Sequence, residues 1–366
     1  MSHRKSNARA WATAIATFWA LQNCSGLQTA HGGTLVGDFT SDDIQWADVD
    51  AEPPRVVVLA IDGVLPADAL AAGEDELPHL TALGRTGYVL GGDERPILAS
   101  GPNFVSLPGY TEILSGSTPA CQKNGCDERP STTIVAEMGD AGSAPVAMLS
   151  SWESIAKIAP ETAVVTAGRT GGGTRKWVDC DAATRALRIE GETSRPSPGH
   201  DDYRPDAVTR PLARSYFSCA RPELMFVSLG DTDELAHGGD RKGYVAALHA
   251  ADDLLGDLLE DARRLESEDR RPTVFFVTTD HGRADDFYDH GEAYPESARV
   301  WLVVGATSEP VLRRTRLADR DGPARLRDIA PTIRSLRGLP ADTSPEAGRS
   351  LLAGPSRPES EQRSED

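Results

Sequence analysis

The chain has 366 residues, of which 39% are hydrophobic and 26% charged, as expected for a soluble globular protein with a sizeable core. Its 38 Lys and Arg residues face 56 Asp and Glu residues, for a net charge of −18. This balance argues against a surface that binds nucleic acid or anionic lipid non-specifically, because such surfaces need clustered positive charge. A small phosphorylated substrate is not excluded, because bound metal ions reverse the field locally.

The N-terminus has the pattern of a secretory signal. A positively charged segment, SHRKSNARA, precedes a short apolar one, WATAIATFWAL, which cannot span a bilayer. We therefore predict a signal peptide over residues 1–30, cleaved near Ala30, no transmembrane span, and a secreted or periplasmic protein. A lipid anchor at Cys24 is the alternative, although Asn23 suits that cleavage poorly.

The rest of the chain is predicted to be one domain with flanking segments. Residues 31–53 are rich in Gly and Asp and are interpreted as a linker, and the charged tail 354–366 as disordered. The domain spans residues 54–353, with a polar, Gly-rich insertion or cap near residues 168–204.

Export leaves an even number of cysteines, which is compatible with two disulfides in an oxidising compartment: Cys121, Cys126, Cys180 and Cys219. A bond between Cys121 and Cys126 would close one loop. The alternative is a structural zinc site, but no CxxC pair occurs.

Three short apolar runs end on aspartate: RVVVLAIDG at Arg55–Gly63, LMFVSLGDTD at Leu224–Asp233 and VFFVTTDHGR at Val274–Arg283. Such runs are typical of strands covered on both faces in a parallel sheet, where ligands bind beyond the carboxyl ends. If the three strands are parallel neighbours, Asp62, Asp233 and Asp280 converge on one edge of the sheet. Alternatively, each strand merely reaches solvent at an aspartate.

Weaker patterns predict the other elements. Helical spacing is expected at Leu77–Arg85, Gly243–Leu265 and Leu326–Leu336, and strands at Val146–Ser150, Ala163–Ala167 and Ala298–Val304.

The aspartates have histidines beside them. Asp233 and His237 are four residues apart and share a helical face, and Asp280 and His281 are adjacent at a predicted strand end, with His290 following in DHGEAYP. A mixture of carboxylate and imidazole suits zinc or a similar transition metal. Crowded carboxylates also need cations among them.

The segment NFVSLPGYTEILSG supplies a candidate nucleophile, Ser106. It precedes a helix-forming run, so its hydroxyl would lie beside the free N–H groups of a helix N-terminus, where anions are held. The alternative is an ordinary N-cap serine.

Together these residues resemble a known family. IDG, SLPGYTEILSG, DTDELAH, TTDHGR and the distal His290 occur in the order found in the alkaline phosphatase superfamily, and are most similar to its nucleotide pyrophosphatase/phosphodiesterase and sulfatase-like branch. The resemblance runs from about Arg55 to about Leu352. It implies an α/β three-layer sandwich with a mostly parallel central sheet and helices on both faces.

The resemblance also implies a cofactor of two divalent metal ions, with zinc expected. One metal would be held by Asp62, Ser106, Asp280 and His281, and the other by Asp233, His237 and His290.

By the same resemblance, Ser106 would attack phosphorus to give a covalent phosphoseryl intermediate, which water activated at the second metal would hydrolyse. Asn124 in CQKNGC would contact a non-bridging oxygen, as an asparagine does in the diesterase branch.

A small-molecule phosphate ester is therefore the expected substrate. Tyr110 stands where sulfatases carry the arginine of their formylglycine signal, which disfavours a sulfatase. The arginine and magnesium ligands of true alkaline phosphatases are not recognisable, which favours diesters over monoesters. The alternatives are a sulfatase or phosphonate hydrolase of the same fold, or a non-catalytic metal-binding surface protein.

Overall fold

The computed structural model describes residues 52–127, 130–141, 145–169, 176–177, 179–308, 311–312 and 315–353. The predicted signal peptide, Cys24, the tail and all but the end of the linker lie outside these residues. In the described part of the chain, no helix is both long enough and apolar enough to cross a membrane.

Strands of the described residues form one large central sheet and two small sheets. They are β1 (Arg55–Ile61), β2 (Tyr88–Leu90), β3 (Ile97–Leu98), β4 (Val146–Ser150), β5 (Val164–Ala167), β6 (Leu224–Leu229), β7 (Thr273–Thr278), β8 (Arg299–Val300), β9 (Leu302–Ala306), β10 (Arg316–Leu317), β11 (Ala324–Arg325) and β12 (Leu352–Ala353). Seven form one sheet in the order β2-β9-β7-β1-β6-β4-β5, in which β7, β1, β6, β4 and β5 run parallel.

Helices cover both faces of this sheet. They are α1 (Pro66–Leu70), α2 (Pro78–Arg85), α3 (Ser106–Ser115), α4 (Ile134–Ala141), α5 (Ala182–Thr193), α6 (Asp206–Ala220), α7 (Asp231–His237), α8 (Arg241–Asp269) and α9 (Ile329–Arg337). Apolar residues of α3, α4 and α9 share one core with alternate residues of β1, and those of α2, α6 and α8 share the other. The predicted α/β three-layer arrangement with a mostly parallel sheet is confirmed.

The middle of the sheet positions the site. Strand β1 is fully buried and pairs in parallel with both β6 and β7. The three runs that end on aspartate are therefore neighbours, and their carboxyl ends lie at the same edge.

One predicted strand is wrong. The segment Ala298–Val304 is not continuous, because it divides at Trp301 into β8, which joins a small sheet with β3 and β11, and β9, which runs antiparallel to β7. The side chain of Trp301 is fully buried, and its indole N–H donates to the carbonyl of Val64 at 3.2 Å. The apolar pattern of residues 298–304 alone could not show that this run contributes strands to two different sheets.

The four cysteines form two disulfides, Cys121–Cys126 and Cys180–Cys219. The predicted pairing within the Cys121 loop is thus present, and the alternative of a zinc site built from these cysteines is wrong. Helix α5 occupies part of the predicted insertion near residues 168–204.

Candidate metal centre

The carboxyl edge of the sheet gathers the predicted ligands. Asp62 follows β1 directly, Asp280 and His281 come just after β7, and α7 begins two residues after β6. The close approach of these segments explains the glycine of the IDG motif. Gly63 has φ of +62°, and a Cβ there would come within 2.4 Å of Asp233 Oδ1.

Asp62, Asp280 and His281 form a first buried cluster. Their ligand atoms lie within 4.8 Å of one another. His281 Nε2 is 3.3 Å from Asp62 Oδ1 and 3.5 Å from Asp280 Oδ2, and neither oxygen has a hydrogen-bond partner in the described structure. Buried carboxylate oxygens without donors are costly. The arrangement therefore fits a cation.

Asp233, His237 and His290 form a second cluster of the same kind. His237 Nε2 lies 3.2 Å from Asp233 Oδ2 and 3.0 Å from His290 Nε2. His290 Nε2 is 3.7 Å from Asp233 Oδ1. Two imidazole nitrogens and a carboxylate form a donor set suited to zinc.

Backbone carbonyls orient two of the histidines. His281 Nδ1 lies 2.9 Å from the carbonyl oxygen of Gly282, and His290 Nδ1 lies 2.8 Å from that of Phe104. A carbonyl only accepts, so Nδ1 is the protonated nitrogen in both rings. In the neutral rings this leaves Nε2 of each free to bind a metal, as in many metal sites.

The first cluster has a strongly perturbed charge balance. Burial and the charge of Asp62 raise the pKa of Asp280 well above its usual value. Burial opposes protonation of His281, but Asp280 and Asp62 outweigh it and raise its pKa to about 10. In the protein alone, the imidazolium supplies the positive charge that the carboxylates require, and a metal ion would supply it more fully.

In the second cluster the pKa values of Asp233 and His290 are lowered, whereas a hydrogen bond to Asp233 raises that of His237. Burial alone would raise the pKa of Asp233, but a hydrogen bond from His237 and the positive charge of Arg283 hold it well below the usual value. Burial, together with the charge of His281, lowers the pKa of His290 to about 3. Asp233 is thus an anion and His290 a neutral base, the forms that bind metals.

Ser106 begins α3 at the edge of the first cluster. Its Oγ lies 3.3 Å from His281 Nε2. Val105 occupies the N-cap position and no side chain caps the helix, so the alternative of a capping role for Ser106 does not hold. The hydroxyl therefore points into the site.

Asn124 stands beside the nucleophile. Its Oδ1 accepts the backbone N–H of Leu107 at 3.0 Å, which leaves its Nδ2 group as a donor. The Cys121–Cys126 disulfide closes the loop that carries it. The structure thus brings all the predicted site residues together.

Sequence reasoning missed the residues that support this site. Arg283 is fully buried and donates to Asp233 Oδ1 and, at 2.7 Å, to the carbonyl of Phe287. The position of Arg283 directly after the DHG motif was the sequence feature that could have identified it as part of the site. Asn103 bridges two loops, donating to the carbonyl of Gln122 at 2.9 Å and accepting from the N–H of Glu292 at 2.9 Å.

A pocket of about 310 Å³ opens over Ser106 and the second cluster. Its lining also includes Trp152, Tyr203, His200 and Glu234. Burial and the charges of Asp233 and Asp62 raise the pKa of Glu234 to about 7. The pocket is large enough for a phosphate ester with a small leaving group.

Fold and site together define an alkaline-phosphatase-like fold with two clusters of side chains that could each hold a metal ion. Residues 212–333 match the Metalloenzyme superfamily. That segment contains α7 and the strand end at Asp280, but not Asp62, Ser106 or Asn124.

Solved structures share the fold over 82% of this chain. They include the alkaline phosphatase PafA, with a TM-score of 0.58, 12% identity and 98% of its chain covered. A 2-O GAG sulfatase has a TM-score of 0.55, 12% identity and 73% covered. A protein of the alkaline phosphatase superfamily from Vibrio parahaemolyticus has a TM-score of 0.53, 16% identity and 70% covered.

Curated relatives match over a shorter stretch. The 2,3-bisphosphoglycerate-independent phosphoglycerate mutase of Cereibacter sphaeroides is 31% identical over 36% of this chain and 24% of its own. That of Thermomicrobium roseum is 31% identical over 37% and 25%. The match thus spans about a quarter of these relatives' length.

The predicted resemblance to the alkaline phosphatase superfamily is confirmed by the family match and the fold. Placement in the nucleotide pyrophosphatase/phosphodiesterase branch stays a prediction.

Proposed function

We propose that this protein is a metal-dependent phosphoric ester hydrolase with Ser106 as its nucleophile. The observation that carries the proposal is the position of Ser106 Oγ, at the start of α3 and 3.3 Å from His281 Nε2. The hydroxyl lies beside two carboxylates that each have an oxygen without a hydrogen-bond partner in the described structure. A nucleophile and a cation site thus meet at one point.

The two clusters would hold two divalent ions, for which zinc fits the mixed nitrogen and oxygen donors. Such ions, when bound, would lower the pKa of the attacking hydroxyl and offset charge on the transferred group. The protein's own residues fix the carboxylates and imidazoles and exclude water from Asp280 and His281, which are fully buried.

The reaction would proceed by two displacements at phosphorus. In the first, a bond forms between Ser106 Oγ and phosphorus, the ester P–O bond breaks, and the alcohol leaves with the serine proton. In the second, water attacks the phosphoseryl group, which releases the phosphate product and restores the hydroxyl. The Nδ2 group of Asn124 would donate to a non-bridging oxygen in both steps, since Leu107 holds its Oδ1.

We favour diesters as substrates. No lysine or arginine of the described residues lines the 310 Å³ pocket, and Glu234 contributes an acid to its wall. A monoester would bring a second negative charge with no lysine or arginine in this lining to neutralise it, whereas a diester brings one. The alternative, a sulfatase, would require formylglycine at Ser106.

The test compares chromogenic phosphate monoester, phosphate diester and sulfate ester with zinc-loaded protein. We expect diester hydrolysis that chelator abolishes and that Ser106→Ala eliminates while metal stays bound. Ser115→Ala removes a hydroxyl from the far end of the same helix and is the matched control. Full turnover by Ser106→Ala would refute the nucleophile, and formylglycine in the intact mass of the Ser106 peptide would favour the sulfatase.

We also propose that the protein works in a secreted or periplasmic location. Its two disulfides support an oxidising compartment. Fractionation of the native host tests this, and recovery in the cytoplasmic fraction with free thiols would contradict it.

A further inference from the structure

A second polar pocket, of about 210 Å³, lies away from the metal centre. We name it the arginine pocket, and its charged lining is Arg320, Asp321, Arg325, Arg327, Asp328 and Arg349. Gly348 also lines it and donates to the carbonyl of Gly116 at 2.7 Å, directly after the C-terminal end of α3. Ser106 lies at the other end of this ten-residue helix, about 15 Å away.

The charge of the arginine pocket opposes that of the whole chain. Four arginines and two aspartates leave two net positive charges, within a protein of net charge −18. Clustered arginines repel one another unless an anion lies among them, and guanidinium groups match the oxygens of phosphate geometrically.

Asp328, already counted in this balance, has little hydrogen-bonding capacity left for the arginine side chains. Its Oδ1 accepts the backbone N–H of Arg349 at 2.8 Å, and its Oδ2 accepts the backbone N–H of Arg325 at 2.8 Å. Arg320 reaches Oδ2 only through Nη2, at 2.9 Å. The carboxylate is therefore largely occupied by the backbone.

Arg320 has donors left over. Its Nε and Nη1 atoms are buried and have no hydrogen-bond partner in the described part of the chain. The side chain is only 18% exposed. Buried charged donors without acceptors are costly, so an acceptor is expected in the pocket.

We propose that the arginine pocket is a second ligand site, which binds a tetrahedral oxyanion of phosphate or sulfate type independently of the metal centre. Such an anion offers several acceptor oxygens to the two free donors of Arg320 and compensates the neighbouring arginines. A water molecule could accept these hydrogen bonds but would leave the net charge unbalanced.

Isothermal titration calorimetry of the metal-loaded full chain tests the proposal, with inorganic phosphate in one series and sodium sulfate in another. The wild type should show a binding component that Arg320→Gln weakens about tenfold or more, as expected for loss of charged hydrogen bonds. If both anions show this binding component, the pocket is a general oxyanion site. If only one anion shows it, that anion is the ligand. Phosphate binding at the metal centre should persist in the variant.

The matched control is Arg221→Gln, which removes one positive charge from an exposed arginine paired with Glu268. Should Arg320→Gln fail to fold, Arg349→Gln carries the same test, because Arg349 is exposed. The proposal is overturned if the wild type lacks this component, or if Arg221→Gln weakens it as much.

Discussion

The hydroxyl of Tyr110 donates a hydrogen bond of 2.8 Å to Asp62 Oδ2, whereas Asp62 Oδ1 has no hydrogen-bond partner among the described residues. Tyr110 is 1% exposed, and its ring packs edge-on against Phe226 with centroids 5.9 Å apart. The hydroxyl is therefore rigidly held and determines which oxygen of Asp62 faces His281.

Replacement of Tyr110 by Phe should weaken metal binding at the first cluster. Loss of a hydrogen bond that orients a metal ligand typically costs about 10- to 100-fold in metal affinity. Competition with a chromophoric chelator measures this affinity directly, without relying on turnover. Tyr88→Phe is the matched control, because its hydroxyl donates at 2.7 Å to the carbonyl of Thr315, which is remote in sequence from every candidate ligand. Equal metal affinity in both variants would show that Tyr110 only fills space.

Asn103 should hold the loop that contains Gln122 and Asn124 in place against the loop that contains His290 and Glu292. Asn103→Ala removes both hydrogen bonds, each worth about 1 kcal/mol, so we expect kcat to fall by up to about thirtyfold. Asn103→Asp keeps an acceptor for the Glu292 N–H and loses only the donor to Gln122. Steady-state kinetics of the two variants therefore separate the two contacts, and unchanged kcat in both would contradict this role.

The two disulfides should have different roles. Removing Cys121–Cys126 by paired serine substitution should lower kcat, because this bond holds the loop of Asn124, yet cost only about 2 kcal/mol of unfolding free energy. The matched control is the Cys180–Cys219 pair, 39 residues apart, whose loss should cost about 4 kcal/mol and spare the chemical step. Denaturant unfolding and kcat measured on both variants check this. Equal losses of kcat would contradict it.

Tyr216 should make the protein less stable at high pH. Burial raises its pKa to about 12, whereas an unfolded tyrosine titrates near about 10. Its contribution to stability is complete below about pH 10 and is lost as the pH rises towards 12, because only the unfolded chain releases the proton there. Above about pH 10, Tyr216→Phe should therefore make the slope of unfolding free energy against pH less steep, by up to about 1.4 kcal/mol per pH unit.

Urea unfolding between about pH 9 and 11 measures this slope, with Tyr288→Phe, which is 51% exposed, as the control. An unchanged slope in Tyr216→Phe would show that the buried hydroxyl does not titrate differently in the folded state.

The sequence by itself determined the layers of the fold and the identities of the candidate ligands. Short, continuous apolar runs such as β1 are possible only where both faces are covered, and their parallel pairing follows from the long segments between them. Because parallel strands end at one edge, the residues Asp62 and Asp280 had to meet if their strands were neighbours. These features depend on local pattern and chain direction.

Only the tertiary structure decided how those ligands are held. Tyr110, Asn103 and Arg283 act across 48, 189 and 50 residues of sequence, and no local pattern records such contacts. The division of one apolar run at Trp301 and the unpaired donors of Arg320 are likewise set by packing partners far along the chain. Hydrogen bonds and ion pairs depend on atomic positions within a few tenths of an ångström, which emerge only when the whole core has packed.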